Sequence, residues 1–544
     1  MRRFIRFAPG SLRRVCSPGS LAWLWATGTL LLGGPARARA LDLCTEPPLR
    51  LEKQGGPGVE QSGFRLFAKG PRGSDFERMT FAAERPVLPA AHSFEAPVSF
   101  DSENGTASAP TTPKKNYWMA AGEVLGVNVG LWLIERYILK EPWSFISPES
   151  WKANLKTGLV YDHHDDFPTN QTLHPFNGSI YYNAARTNGL SFWESSLFAA
   201  AGSLMWEYFG ETEAASLNDV LTTALGGAVT GEVFYRLSTM LLDNTAGGAS
   251  RFWRELGAAV LNPPGLFNRH VRGELTKDFP NPDDRMPAAF SAEVYAGYQR
   301  LNDGPPSVVV SPNQGLLGIF IRYGDPFSGR NSKPFDSFEA LIEVYPSSST
   351  VGSRWWERGL LASWGISSSA AAEHRLGLLM GYEYTNNQSE IFSAQTFSVD
   401  LLSRFPLSRG LELRTEVMGV GFPVVALQAN DAPYEFTSAG RPYDFGVGGG
   451  VRSLARLDRA GLDLLSIGYE ALWTHTTSGA SNPPAEASLS SRLQSFRVEG
   501  RLPVSDALAV GGGWTWNDRV TAYPERTAAV AGPEWRVFAS VLLR

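Results

Sequence analysis

Residues 465–473 decide the fold, and they read Leu-Ser-Ile-Gly-Tyr-Glu-Ala-Leu-Trp. The apolar residues recur at every second position, namely Leu465, Ile467, Tyr469, Ala471 and Trp473. Small or polar residues occupy most of the positions between them. Because successive side chains of a β-strand point to opposite faces, this period of two predicts a strand with one apolar face.

The same alternation recurs along the chain after Pro287. Candidate strands lie near 288–301, 314–323, 336–347, 356–367, 374–386, 392–404, 411–421, 444–454, 462–475, 489–501, 507–518 and 535–543. A soluble β-sandwich would have strands of roughly 5–6 residues with their apolar faces turned inward. The longer segments found here can cross a bilayer at a tilt, and they predict an antiparallel transmembrane β-barrel of about 12 strands.

The overall composition agrees with a β-rich protein that has many turns. The chain has 544 residues, of which 55 are Gly and 36 are Pro, and its net charge of −5 leaves no basic excess for binding nucleic acid. Its two cysteines, Cys16 and Cys44, cannot form a disulfide framework or a zinc knuckle. The composition therefore excludes a nucleic-acid-binding protein and a disulfide-stabilised scaffold.

The first 40 residues are typical of a secretory signal peptide. They contain seven arginines and no acidic residue, then an apolar stretch at 21–32, then Ala38-Arg39-Ala40. A transmembrane anchor would need roughly 20 apolar residues, and this stretch is shorter. We therefore expect cleavage near Ala40 and export to the outer membrane of a Gram-negative bacterium.

The mature chain divides into three predicted regions, which give an α+β protein. A flexible low-complexity leader covers 41–114, a helical domain covers 115–285, and the outer-membrane barrel covers 286–544. Helices are predicted at Tyr117–Leu139, Ser191–Phe209 and Leu217–Leu242, with helix starts at Ser147, Ser191 and Ser216. Their uncharged runs are too short to span a membrane, so we expect a packed domain at the periplasmic mouth of the barrel or partly within its lumen.

The helical domain carries the densest polar sequence. The candidate site residues, whose types bind metals or transfer protons, are His174, Arg186, Glu207, Asp219 and Glu232. The structural alternative is a buried polar network in which Arg186 pairs with a Glu, Asp219 belongs to a helix cap and His174 lies in an ordered turn. The chain has no Gly-x-Ser-x-Gly or His-Glu-x-x-His motif, so no cofactor is expected and enzymatic activity is not favoured.

A second polar run contains three further candidates for metal ligands, His163, His164 and Asp166. Adjacent histidines on a strand point to opposite faces and rarely bind one ion, so a solvated loop is the preferred interpretation.

Several sequence blocks resemble the uncharacterised bacterial family called domain of unknown function 3943. The resemblance covers about residues 115–275 and rests on blocks at 174–189, 226–232 and 262–269, together with Glu207 and Asp219. It implies an exported, envelope-associated protein and carries no catalytic residue with it.

Three functions remain open at this point. The first is a pore, a plugged channel or an envelope scaffold. The second is a membrane-embedded lipid hydrolase or acyltransferase that uses the group of His174, Glu207, Asp219 and Glu232. The third is a lipid- or polysaccharide-binding module with Trp514 and Trp516 at the barrel rim. The expected partners are outer-membrane lipid and other envelope proteins, without nucleic acid; the sequence identifies no small-molecule ligand.

Overall fold

A computed structural model describes residues 114–161, 167–301, 312–329, 331, 333–347, 351–387, 390–408, 410–428, 443–479 and 488–544. The predicted signal peptide, nearly all of the predicted leader, and the candidates His163, His164 and Asp166 lie outside these residues. Two kinds of structure occupy the described part, a set of helices followed by a set of strands.

The strands close into a barrel, which confirms the predicted fold class. They are β1 (Phe290–Arg300), β2 (Asn313–Tyr323), β3 (Phe338–Pro346), β4 (Val351–Ser368), β5 (Glu373–Asn386), β6 (Ile391–Pro406), β7 (Leu411–Gln428), β8 (Tyr443–Arg459), β9 (Leu462–Ser478), β10 (Ser490–Pro503), β11 (Leu508–Ala522) and β12 (Thr527–Leu543). Each strand is antiparallel to its neighbours, and β12 pairs with β1 to complete the ring. In this register Val294 lies opposite both Val541 and Ile319.

Charged side chains identify the face of each strand that points into the lumen. Arg358 on β4 donates from Nη2 to Glu416 on β7 at 2.5 Å, although two strands separate them in the ring. Such a pair can meet only across the interior, so these residues point inward. Their sequence neighbours, which include Glu357, therefore point outward.

The outward face is largely apolar and exposed. Its exposed members include Val294, Leu317, Val399, Val417, Ile467, Tyr469, Trp473, Val510, Trp535 and Val537. The predicted alternation over 465–473 is thus the alternation between the outer surface and the lumen.

The helices precede the barrel in the chain. They are α1 (Tyr117–Leu133), α2 (Pro148–Thr157), α3 (His174–Arg186), α4 (Phe192–Phe209), α5 (Leu217–Leu221), α6 (Gly227–Leu241), α7 (Gly248–Leu261) and α8 (Pro263–Val271). The predicted caps are confirmed, because the side chains of Ser147, Ser191 and Ser216 each accept a backbone N–H of the helix that follows. The interpretation of His174 as part of a turn was wrong, since it begins α3 after a π-helical turn at Thr169–Leu173.

Two glycines bring α3 and α6 into close contact. A Cβ atom built on Gly227 would lie 2.5 Å from Cα of Gly178, and one built on Gly231 would lie 2.6 Å from the ring of Tyr182. No side chain fits between the helices at these points. The helix crossing therefore depends on residues without a Cβ.

The helical domain packs on the outer wall of the barrel, which corrects the predicted position at the mouth or in the lumen. Thr230 on α6 donates to outward-facing Glu357 at 2.8 Å. Phe192 on α4 stacks on Phe335, which precedes β3, with ring centroids 5.5 Å apart. The buried core joins helical residues to the outer faces of β3, β5, β7 and β8. The lumen has no room for the helices, because charged pairs cross it and the cavity that remains measures about 300 Å³.

We predict that Gly227→Ala loosens the contact between α3 and α6. The added methyl group overpacks the crossing and should cost roughly 1–3 kcal/mol. Gly122→Ala is the matched control, since a Cβ there meets nothing within 4 Å and alanine favours the helix. Urea unfolding followed by far-UV circular dichroism measures both, and equal midpoints for the two variants would contradict the close contact.

Candidate functional site

The structure places the five predicted site residues in two groups. The first, which we call the Glu232 group, consists of Arg186, Glu232 and Arg236 with Tyr182. Arg186 Nε and Arg236 Nε each lie 2.8 Å from a different oxygen of Glu232, and Tyr182 donates its hydroxyl at 2.6 Å. The carboxylate is fully buried and all of its neighbours are donors.

The Glu232 group also joins the helices to the barrel. Arg236 Nη1 donates to Asp336 at 2.7 Å and Nη2 donates to the carbonyl of Pro334 at 2.8 Å, both in the connection between β2 and β3. The two arginines compensate the negative charge of the buried Glu232 carboxylate, which would otherwise be costly to bury. This arrangement supports packing, because its charges are compensated within the buried group.

The second group, which we call the His174 group, consists of His174, Glu207 and Asp219 with Thr223. His174 Nδ1 lies 3.1 Å from the hydroxyl of Thr223, and Nε2 lies 3.7 Å from Asp219 Oδ1. Glu207 Oε2 accepts the backbone N–H of Ser216 at 2.8 Å.

Unsatisfied polar atoms surround the His174 group. Among the buried side-chain atoms of the described residues that lack a hydrogen-bond partner are Asn170 Nδ2, Thr172 Oγ1 and Thr222 Oγ1, which belong to residues near His174 and Thr223 in the chain. Such atoms are costly to bury and are uncommon in a purely structural network. The interior of the helical domain is therefore unusually polar at this point.

A hydroxyl that contacts an imidazole, which in turn lies near a carboxylate, has the elements of a nucleophile–base–orienter arrangement. Here the hydroxyl belongs to Thr223, which is 1% exposed, so a substrate cannot reach it. The group can hold and exchange protons internally. Among the described residues, no set of three His, Cys, Asp or Glu side chains is placed to hold a metal ion.

Sequence reasoning found Arg186 and Glu232 but missed Arg236 and Thr223. Arg236 lies one helical turn after Glu232, and that i,i+4 spacing of opposite charges was a usable signal. Thr223 gave no such signal, because its contact with His174 joins two segments 49 residues apart in the chain.

The barrel lumen is a second candidate site, which the sequence did not locate. A cavity of about 300 Å³ lies inside the ring and is lined by charged side chains that include Arg354, Arg452, Arg497, Glu343 and Glu470. Arg452 pairs with Glu383 and Glu470. Arg497 makes no hydrogen bond or ion pair with any part of the chain that the structure describes. The cavity thus contains both compensated charges and a cation that is available to a solute.

We predict that Glu232→Gln destabilises the helical domain by about 3–5 kcal/mol, because it removes the carboxylate that pairs with buried Arg186 and leaves buried Arg236 with Asp336 alone. Lys115→Ala is the control, since it removes an exposed cation beside Glu194 and should leave the unfolding midpoint unchanged. Urea unfolding in detergent measures both. Indistinguishable midpoints would show that the Glu232 group does not stabilise the fold.

Comparison with solved structures finds outer-membrane barrels at very low similarity. The NanC porin is 8% identical with a TM-score of 0.24, over 46% of this chain and 98% of that chain. The KdgM porin in complex with disordered oligogalacturonate is 11% identical with a TM-score of 0.20, over 47% and 99%. OmpT of Vibrio cholerae is 9% identical with a TM-score of 0.22, over 47% and 97%. Scores this low carry no argument, so the fold assignment rests on the closed strand ring itself.

Comparison at the level of sequence agrees with the resemblance described above. No curated protein matches this chain. The family match includes both α3 and α6 and therefore both polar groups. Residues 158–264 match the family described as Domain of unknown function (DUF3943).

Proposed function

We propose that this protein is an outer-membrane channel whose lumen is closed at one end by its own ion pairs. The apolar outer face of the barrel supports a location in lipid, because exposed Val, Leu, Ile and aromatic side chains on β1–β12 would otherwise face water. Export would follow cleavage of the signal peptide near Ala40. The partners are then outer-membrane lipid and, as a further proposal, other envelope proteins.

One contact carries the proposal of a closed end. Arg322 on β2 donates from Nη1 to Asp458 on β8 at 2.9 Å, and these strands are six apart around a ring of twelve. The pair therefore joins opposite walls of the barrel. Arg322 also donates to the carbonyl of Gly461 at 2.8 Å and lies 3.3 Å from Asp463. Side chains thus cross the whole lumen at this level.

Further ion pairs lie deeper along the lumen and add to this closure. Arg456 on β8 pairs with Glu339 on β3, and Arg358 on β4 lies 2.8 Å from the same carboxylate. The Arg456–Glu339 pair spans the ring, and Arg358 shares the Glu339 carboxylate with it. A charged constriction of this kind selects against bulk flow while leaving a polar route that reopens when the pairs separate.

The closed end corresponds to the periplasmic side in the usual arrangement of such barrels. Short turns join β4 to β5, β8 to β9 and β10 to β11 at this end, although the β2–β3 connection is longer. The cavity of about 300 Å³ lies beyond the constriction and reaches Asn387 and Glu390 at the opposite end. A solute would enter from that opposite end and meet the ion pairs last.

We predict that Arg322→Ala raises the conductance of the purified full chain in planar bilayers by about twofold or more, because it removes the bridge across the lumen. Arg492→Ala is the control, since Arg492 points outward and lies 3.3 Å from Asp518 on the outer surface. Asp458→Ala removes the same bridge from the other wall and should act in the same direction. If both lumen variants conduct no more than the wild type, the channel proposal fails and a scaffold is favoured.

The enzymatic and ligand-binding alternatives remain proposals with less support. A lipid hydrolase or acyltransferase would use His174 with Glu207 and Asp219, whereas Glu232, the fourth predicted member, pairs with Arg186 and Arg236 instead. The contact between His174 and Thr223 is the observation in its favour. The burial of Thr223 counts against it. A lipid- or polysaccharide-binding role would use the outward-facing Trp514 and Trp516 on β11.

A further inference from the structure

The outer wall of the barrel has one polar region in an otherwise apolar face. Glu357 on β4 and Ser393 and Gln395 on β6 all point outward, and none of them is more than 1% exposed. We call these three residues the outer-wall patch. Farther along the same face of β6, Val399 and Leu401 are exposed and apolar. Polar groups at this depth would be costly against acyl chains and need a protein cover.

The helical domain supplies that cover. Thr230 on α6 donates to Glu357 at 2.8 Å, and Tyr382 next to the patch donates its hydroxyl to the carbonyl of Gln171. A Cβ on Gly226 would lie 3.3 Å from Nε2 of Gln395, so the turn before α6 lies directly over the patch. Glu357 is in the interior of β4, which runs from Val351 to Ser368. The helices therefore meet the wall between its two rims and not at a mouth.

The opposite side of the helical domain is apolar and uncovered. Trp118 on α1 is 90% exposed and Leu197 on α4 is 70% exposed, and further large apolar side chains with high exposure are Leu125, Trp193, Phe252, Trp253 and Phe267. The buried side of α1 consists of Ala120, Val124 and Asn128, which leaves Leu125 on the uncovered side. Within the described residues, the helical segment Tyr117–Leu139 is long and apolar enough to cross a membrane by length and composition, with a mean hydropathy of 1.3.

We infer that the helical domain lies within the lipid bilayer beside the barrel. Its inner side covers the outer-wall patch, and its outer apolar side contacts acyl chains. Lipid is the occupant that the wall itself indicates, because the helices cover part of the same outer face on which Val399, Leu401 and Val417 are exposed. An uncovered apolar surface of this extent is unusual on a protein surface that faces water. The inference does not depend on whether the lumen conducts.

The test uses the full chain in phosphatidylcholine vesicles that contain a doxyl-labelled phospholipid. Cys16 and Cys44 are replaced by serine, and a single cysteine carrying an environment-sensitive fluorophore replaces Leu197 in one variant and Leu125 in another. A label at Val537 on the barrel's outer face is the lipid-facing reference. A label at Asp278, whose side chain is 80% exposed, is the water-facing reference.

We expect the labels at Leu197 and Leu125 to be blue-shifted and quenched by the doxyl lipid as strongly as the label at Val537. Emission and quenching like those at Asp278 would overturn the inference and place these helices in water. A label protected from both the doxyl lipid and aqueous iodide would also overturn it, since a protein partner would then cover this face. Heat-modifiable migration on gels checks that each variant is folded before the measurement.

Discussion

Ring closure is the constraint on which the rest of the structure depends. Once β12 pairs with β1, every strand residue has one of two surroundings, the lumen or the outer surface. Charged side chains in the lumen can then meet partners from distant strands, as Arg322 and Asp458 do at 2.9 Å. The same closure forces Glu357, the neighbour of lumen-facing Arg358, to the outside, where only another part of the protein can satisfy it.

These two consequences connect the barrel to the helices. The lumen is crossed by paired side chains, so the helical domain has no room inside and packs against the wall. Its polar interior matches this position, because α6 presents Thr230 to Glu357 and presents Glu232 to Arg186 on α3. The Gly178–Gly227 contact brings α3 and α6 close enough for the Arg186–Glu232 pair. The helices therefore supply a hydrogen bond to Glu357 of the wall and cover its polar neighbours.

Much of the fold could be predicted from the sequence, because period-two alternation and serine caps are local signals. The alternation of apolar and polar residues failed to predict the strand where the helices cover the outer wall of the barrel. At the end of β7, Val424, Val425, Ala426 and Leu427 are all buried, so both faces are apolar and the strand extends beyond its predicted end. The charged pairs across the lumen and the contact between Thr230 and Glu357 join residues far apart in sequence, so no local pattern reveals them. The sequence predicted that Arg186 pairs with a Glu. It did not predict that this Glu is Glu232 or that Arg236 shares its carboxylate.

The most direct test of the account is a spin-label scan along β6 in lipid vesicles, measuring collision with oxygen dissolved in the bilayer. Labels at Val399 and Leu401 should collide readily with oxygen, because both residues face outward on the part of β6 that the helices leave uncovered. Labels at Ser393 and Gln395, on the same face, should be shielded by the helices, and labels at Ser398 and Asp400 should be shielded by the lumen. Strong collision at Ser393 and Gln395, or no difference between Val399 and Ser398, would contradict the arrangement of wall, lumen and helices described here.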